Sequence, residues 1–424
     1  MFYNVKNFGA TGDGITMDTA AVQSAINACS NSGGGTVLLE EGVFLIGTIQ
    51  LFSGVELHID ASATLLGSKD INNYPEIKGT VWNDEYSPRN NSRCLIYAEN
   101  CKNIAITGRG TIDCNGDTYV ERRPDEDCFY DDGERQFIWY YQRKDVITPP
   151  RVVMIFKSED ITFRDVVMQN QPSGWSYWVC GCKNVKFDSL TIRSNVEYPN
   201  NDGLDIFNCK NVTVTGCNIQ TGDDCIAVRS YSLPLGENTA CEGVTVTNCN
   251  LTSHTSAIRL GWLGDGEIKN CTFSNITVTD STAGIEIRIP KGDPSGQRYS
   301  DQGDEQTKIE NIIFSNITIN NSFYAPIQFS IAPNNFKSCE YIRNIQLNNI
   351  IANGHFLPTF VGAKDCPFEN ITLNNCRFEQ IPWKHVKEME EDLGDGPIHM
   401  LTVEHVKNLT LNNTVIISAD DISD

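Results

Sequence analysis

The sequence predicts an all-β chain of 424 residues wound as one solenoid, a parallel β-helix. Three observations predict it. First, a two-strand unit recurs, as in "CKNIAITGRGTID" from 101, "SEDITFRDVVMQN" from 158, "CKNVKFDSLTIRS" from 182, "CKNVTVTGCNIQT" from 209 and "CEGVTVTNCNLTS" from 241. Second, its matching positions Ile161, Val185, Val212 and Val244 step by 24, 27 and 32 residues. That is the size of one coil with loops of varying length, and repetition at this scale marks a stacked repeat. Third, each half of the unit is a short, β-branched, alternating run bounded by Asn, Gly or Asp. Copies from 309, 342, 368 and 406 carry the pattern onward. The chain therefore reads as one domain, residues 1–424.

The elements follow in order. "MDTAAVQSAINACS" places Ala21, Val22, Ala25, Ile26 and Cys29 on roughly one side of a helix. A helix there would cap the open end of the solenoid, whose strand edges need a cover. Residues 114–150 break the rhythm and read as a loop insertion carrying Phe137, Trp139, Tyr140 and Tyr141. It is either a solvated loop with an aromatic anchor or the rim of a sugar-binding cleft. A second long loop, about 288–308, is placed as the opposite wall. Residues 382–396 read as a late helical insertion.

Sixteen cysteines are present. Cys101, Cys182 and Cys209 share one repeat position, and Cys217, Cys249, Cys271 and Cys376 are assigned to the short second half of the unit. Recurrence at one position indicates buried, stacked thiols rather than bridges. No pair has the CxxC spacing of a zinc site, so no structural metal is expected. Asn211, Asn250, Asn275, Asn316, Asn370 and Asn408 each begin an N-x-T sequon. Most hold the repeated strand-entry or turn position, so they are expected to be turn or ladder residues rather than glycan sites.

With 33 basic and 54 acidic residues the formal charge is −21. No basic run stands out, so no nucleic acid and no membrane surface is expected as partner; a polyanionic substrate would need a few local cations. No apolar run approaches the roughly 18 residues of a membrane span. "MFYNVKNFGATGDG" lacks a basic-then-apolar leader. The expectation is a cytoplasmic protein, or a secreted one if a leader was removed. Monomer or weak homo-oligomer both suit such a fold.

The chemistry is expected where acids stack. "DGLDI" from Asp202, "DCIAV" from Asp224, "SAIRL" from Ser256 and "AGIEI" from Ala283 align with their third and fifth residues apolar and inward. Asp202 then lies one coil from Asp224, with Asp223 beside it. Carboxylates held together repel and raise at least one pKa. Divergent pKa values are what glycoside hydrolysis needs: one protonated acid for the leaving oxygen and an ionised partner for water. Isolated turn aspartates would be the bland alternative.

"PNNDGLDI" and "TGDDCIAV" resemble the N-T-D and G-D-D motifs of glycoside hydrolase family 28, the polygalacturonase family. Echoes of the wider pectinase-like β-helix group include "FGATGDG", "GGGTVLLEEGVFLIG", "GRGTIDCNG", "PPRVVMIF" and "QPSGWSYW", so the resemblance covers roughly residues 4–380. It implies a right-handed parallel β-helix that hydrolyses glycosidic bonds with inversion, without metal or cofactor. Carried over, Asp223 matches the general acid, and Asp202 with Asp224 match the pair that activates water.

Two family motifs differ here. The His of G-H-G falls on Ser256, with His254 two residues earlier, either reaching the site from the turn to bind substrate or standing as a loop histidine. R-I-K becomes Glu286, Ile287 and Arg288, placing an acid where the family binds a galacturonate carboxylate. Arg259, one coil earlier, either forms a ladder salt bridge with Glu286 or joins Arg288 and Arg229 in gripping substrate. The expected function is hydrolysis of a pectin-type oligosaccharide, galacturonide or rhamnogalacturonan-like, with long loops suited to exo-action. Alternatives are a neutral glycoside as substrate, a lyase or transferase on the same scaffold, and a non-catalytic glycan-binding β-helix.

Overall fold

The computed structural model describes residues 1–123, 141–144, 149–292, 302–334, 336–381 and 401–419. The helix expected at 382–396, the aromatic residues Phe137, Trp139 and Tyr140, and most of the second long loop lie outside the described residues. The chain is a right-handed parallel β-helix. An eleven-stranded parallel sheet runs from Ile49–Gln50 to Thr402–Glu404. The other large sheet has 23 strands and turns corners within single strands such as Glu267–Thr279. Right-handed winding is the hand that twisted parallel strands favour when they cross over to their neighbours.

The aligned positions pair as the repeat requires: Ile161 with Val185, Val185 with Val212, and Val212 with Val244. Their side chains stack inward into a hydrophobic core that continues from Val5 to Phe378. Aromatic residues stack within it, Phe163 on Phe187 at 4.9 Å between ring centroids and Phe273 on Phe314 at 5.0 Å. Each fully buried side chain of this size contributes about 1.5–3 kcal/mol. The N-terminal helix, Thr19–Asn31, buries Val22, Ala25, Ile26 and Cys29 against the first coil. Its apolar stripe thus covers the first core layer, as expected.

The corners are built from asparagine. Asn184, Asn211, Asn270, Asn311, Asn344, Asn370 and Asn408 all have φ between 55° and 60°. Asn adopts this left-handed region more readily than any other residue except glycine. Their amides bond along the stack, Asn344 to Asn311, Asn370 to Asn344 and Asn408 to Asn370, at 3.2, 2.9 and 2.9 Å. A second ladder joins Asn349 to Asn316 and Asn316 to Asn275. Five sequon asparagines are therefore left-handed corner residues, and Asn250 bonds Asn218 within its strand stack. Asn316→Ala should lower stability by about 1–2 kcal/mol, because alanine bears the left-handed backbone without a ladder bond. Urea denaturation measures it, and an unchanged midpoint would contradict the ladder's role.

Thirteen of the described cysteines are free and buried. Cys182, Cys209 and Cys241 occupy one column, as do Cys217 and Cys249. Two placements differ from expectation. Cys271 faces Ile312 beside the pairing of Thr245 with Thr272, so it stands in the Val244 column of the first half-unit, not in the second half. Cys339 and Cys366 form a disulfide between neighbouring coils, at positions outside the repeated thiol columns. Among the described residues no helix is long and apolar enough to cross a membrane.

One segment was not anticipated. Residues 71–90 leave the coil through three short 3-10 turns, Ile71–Asn73, Asp84–Tyr86 and Pro88–Asn90. They cover the outer face of the eleven-stranded sheet. Trp82 stacks on Phe156 at 4.0 Å and 2° and meets Trp178 edge-on at 6.2 Å. Met154, Phe156, Trp178 and Phe207, outward by alternation, are thereby buried in a second hydrophobic cluster. This wall ends next to the stacked acids.

Candidate active site

Four strands carry the site: Leu204–Phe207, Ile226–Arg229, Ser256–Leu260 and Ala283–Ile289. Leu204 pairs with Ile226, Ile226 with Ile258, and Ile258 with Ile285, the alignment read from sequence. Leu and Ile at these places point inward, which forces the intervening residues outward onto one face. Asp205, Ala227, Arg259 and Glu286 form that outward row. Asp202, Asp223 and Asp224 stand at the strand entries, and one carboxylate oxygen from each lies within 4.8 Å of the others.

Each acid is held differently. Asp223 accepts from the Asn200 amide at 2.8 Å, the Thr255 hydroxyl at 3.0 Å and the Asp224 N–H at 3.1 Å. Its backbone is fixed too: the Thr221 and Ser253 hydroxyls donate to its carbonyl, and its N–H donates to Asn201. Asp224 accepts from Arg259 Nε at 2.5 Å and from Thr255 at 3.2 Å. Asp202 Oδ1 is buried with no hydrogen-bond partner among the described residues. Asp223 is the most open of the three, 9% exposed against 5% for the other two.

Burial pushes the Asp202 carboxyl well above the usual range, and Asp223, Asp205 and Asp224 push it further. Burial also pushes Asp224 up, to about 7, with Asp223 and Glu286 adding to the rise and Arg259 opposing it. The cluster thus keeps at least one proton near neutrality, shared among coupled groups.

Comparison with known proteins now bears on this geometry. The model of glycosyl hydrolases family 28 matches residues 29–355. The chain belongs to glycosyl hydrolases family 28. Over 301 residues it is 29% identical to a probable polygalacturonase of Vitis vinifera, a match covering 68% of this chain and 57% of that protein. The chain therefore spans less than two thirds of that relative. Over 374 residues it is 26% identical to endo-xylogalacturonan hydrolase A of Aspergillus tubingensis, covering 86% and 79%. An exopolygalacturonase of known structure from Thermotoga maritima shares the fold, with a TM-score of 0.71 at 21% identity over 98% of this chain and 91% of that one.

Within this family 28 site, the residues anticipated as substrate-binding have varied surroundings. Arg259 bridges Asp224 and Glu286, the latter at 2.7 Å, with its guanidinium over the Trp262 ring at 4.9 Å. Glu286 is fully buried and also accepts from Ser256 at 2.5 Å. The Arg259–Glu286 contact is thus not an exposed ladder pair: desolvation and charge pairing are both large in it. Arg288 lies 3.8 Å from Glu286. Arg229 is bound by both oxygens of Asp265, at 3.1 and 2.7 Å. His254 is half-buried with its ring edge-on to Phe323 at 6.1 Å, and burial lowers its pKa. The side chain from this turn that touches the acids is that of Thr255.

Sequence reasoning missed Asp205. It was visible as the fourth residue of "DGLDI", outward by the same alternation that turned Leu204 and Ile206 inward. It is 1% exposed, its Oδ2 has no partner among the described residues, and burial followed by Asp224 raises its pKa well above the usual range. An acid with a raised folded-state pKa binds more protons folded than unfolded. It therefore costs stability as pH rises from about 4, the unfolded value. Asp205→Asn should raise Tm more at pH 8 than at pH 5. Melting curves at the two pH values test this, and an equal shift at both would contradict it.

Proposed function

We propose that this chain hydrolyses pectin-type oligosaccharides, galacturonide or rhamnogalacturonan-like, from one end and with inversion. The observation that carries this is the trio Asp202, Asp223 and Asp224 gathered within 4.8 Å on one outward patch. Asp223, the most open acid, donates the proton to the leaving oxygen. Asp224, whose ionised form Arg259 favours against the opposing effect of burial, and Asp202, one coil away, flank the attacking water. General acid–base catalysis of this kind contributes about 10²–10⁴-fold per group.

Exo-action is supported by the wall. Trp178 is one strand from Asp205 and fully buried beneath it, so open sheet face ends about 4.8 Å before the acids. A sugar chain extends past the acids in one direction only. Digestion of end-labelled oligogalacturonides tests this: monomer should appear from the first time point, and an early spread of product sizes would refute it.

A second stereochemical reading is told apart by its product. Inverting enzymes usually leave roughly 6.5–9.5 Å between their carboxyls, retaining ones about 5–5.5 Å. Proton NMR of the first product decides. An inverted anomer supports water held by two carboxylates, whereas a retained anomer makes Asp202 or Asp224 a nucleophile. An unsaturated product absorbing in the ultraviolet would indicate a lyase instead.

A further inference from the structure

Three arginines converge at the walled end of the cleft in a chain of formal charge −21. None of Arg89, Arg143 and Arg151 makes an ion pair among the described residues. Arg151 is 3% exposed and lies over the Trp175 and Trp178 rings, each at 4.6 Å. Its donors go to neutral oxygens: Ser87 Oγ at 3.1 Å, the Pro88 carbonyl at 2.8 Å and the Asn91 carbonyl. Arg143 donates to Ser173 at 3.0 Å and to Asn200 Oδ1 at 2.8 Å. Asn200 in turn bonds Asp223. Burial, then the charge of Arg89, lowers the pKa of both to about 9, against the opposing charges of Asp202, Asp205 and Asp223, none of which is in ion-pair contact with them. Buried cations are normally paired, so this end of the cleft is electrostatically prepared for an anion.

Arg89 presents the accessible guanidinium. Arg151 pins both flanks of the Pro88–Asn90 turn, and within that turn Arg89 has φ 59° and Asn90 φ 50°. Consecutive left-handed residues other than glycine cost energy and persist where the surroundings fix them, often at binding sites. The Arg89 guanidinium lies over Trp175 at 6.0 Å and makes no hydrogen bond among the described residues. Its charge reaches Asp202, where it partly offsets the neighbouring carboxylates.

We propose that Arg89, backed by Arg143 and Arg151, binds the carboxylate of a uronic acid at the closed end of the cleft. This rests on the hydrolase reading only for the sugar being a substrate. It assigns anion recognition to the wall, on the opposite side of the acids from Glu286, where an acid stands in place of a cation. A planar guanidinium suits a carboxylate through two parallel hydrogen bonds.

The test compares wild type, Arg89→Gln and Arg89→Lys. Calorimetry measures binding of galacturonate and of galactose; kinetics compare a galacturonide with the matching galactoside. Arg89→Gln should weaken galacturonate binding by about 10- to 100-fold. It should also lower kcat/KM for the galacturonide by that factor more than for the galactoside. Arg89→Lys should recover part of the loss, which a misfolded wall would not. Equal loss for both sugars, or no loss for galacturonate, overturns the proposal. Wild type that binds galacturonate through Arg89 but cleaves nothing keeps the clamp and rejects the hydrolase. Wild type that cleaves both sugars without preference rejects the clamp and keeps the hydrolase.

Discussion

Asp223→Asn is expected to lower kcat on an oligogalacturonide by about 10²–10⁴-fold, the usual contribution of a positioned general acid. The fold should survive. The amide oxygen can still accept from Thr255, one of the two bonds that hold the carboxylate now; the bond from Asn200, which goes to the other oxygen, is lost. Removing one member of a repelling cluster also relieves strain rather than adding it. Single-turnover assays and circular dichroism on the same preparation check both halves. Retention of more than a tenth of the wild-type rate by a folded variant would move the acid role away from Asp223.

Arg259→Met is expected to be the most destabilising single change in the site, by about 3–5 kcal/mol, the cost of leaving buried charge uncompensated. Arg259 is 7% exposed and faces two carboxylates, Asp224 at 2.5 Å and Glu286 at 2.7 Å. Without it, one of the two must take up a proton at neutral pH. Arg259→Met with Glu286→Met should regain part of the loss, because the orphaned acid is gone while Asp224 remains. Urea denaturation of the two variants measures this. A loss below about 1 kcal/mol for the single variant would show that solvent reaches the pair. Activity adds an independent reading: a less firmly ionised Asp224 should move the acid limb of the pH–rate profile upward.

The coil register was legible in the sequence to the residue. Leu204, Ile226, Ile258 and Ile285 align because inward positions alternate strictly and each coil must bury the same column. The corner asparagines were legible as repeated polar pairs, although their left-handed backbone was not. The acids were found because a motif placed two of them at equivalent strand entries. What each long outward side chain touches was not legible. Arg259 reaches back one coil to Asp224 as well as forward to Glu286, and Arg229 is claimed by Asp265, 36 residues on in a connecting loop. Alternation fixes direction, whereas partner choice depends on loops that do not repeat. The wall at residues 71–90 escaped for the same reason: it has no repeat, and its aromatic residues find their partners across the sheet face. The Cys339–Cys366 bridge also lies outside the recurring thiol positions from which the cysteines were read.

The buried cysteines set how this protein ages. Among the described residues thirteen thiols are buried, in the coils or under the wall, and burial raises the pKa of several, including Cys94, Cys180 and Cys241, so that they stay protonated and inert. Unfolding releases them together at an ordinary pKa near 8.5, as competent nucleophiles toward one another and toward the Cys339–Cys366 bond. In air an excursion to the open chain exposes these thiols to oxidation, and a mismatched bridge formed there blocks rewinding of the coils. Shelf life is accordingly governed by the rate of opening and by the oxidant present rather than by an equilibrium constant.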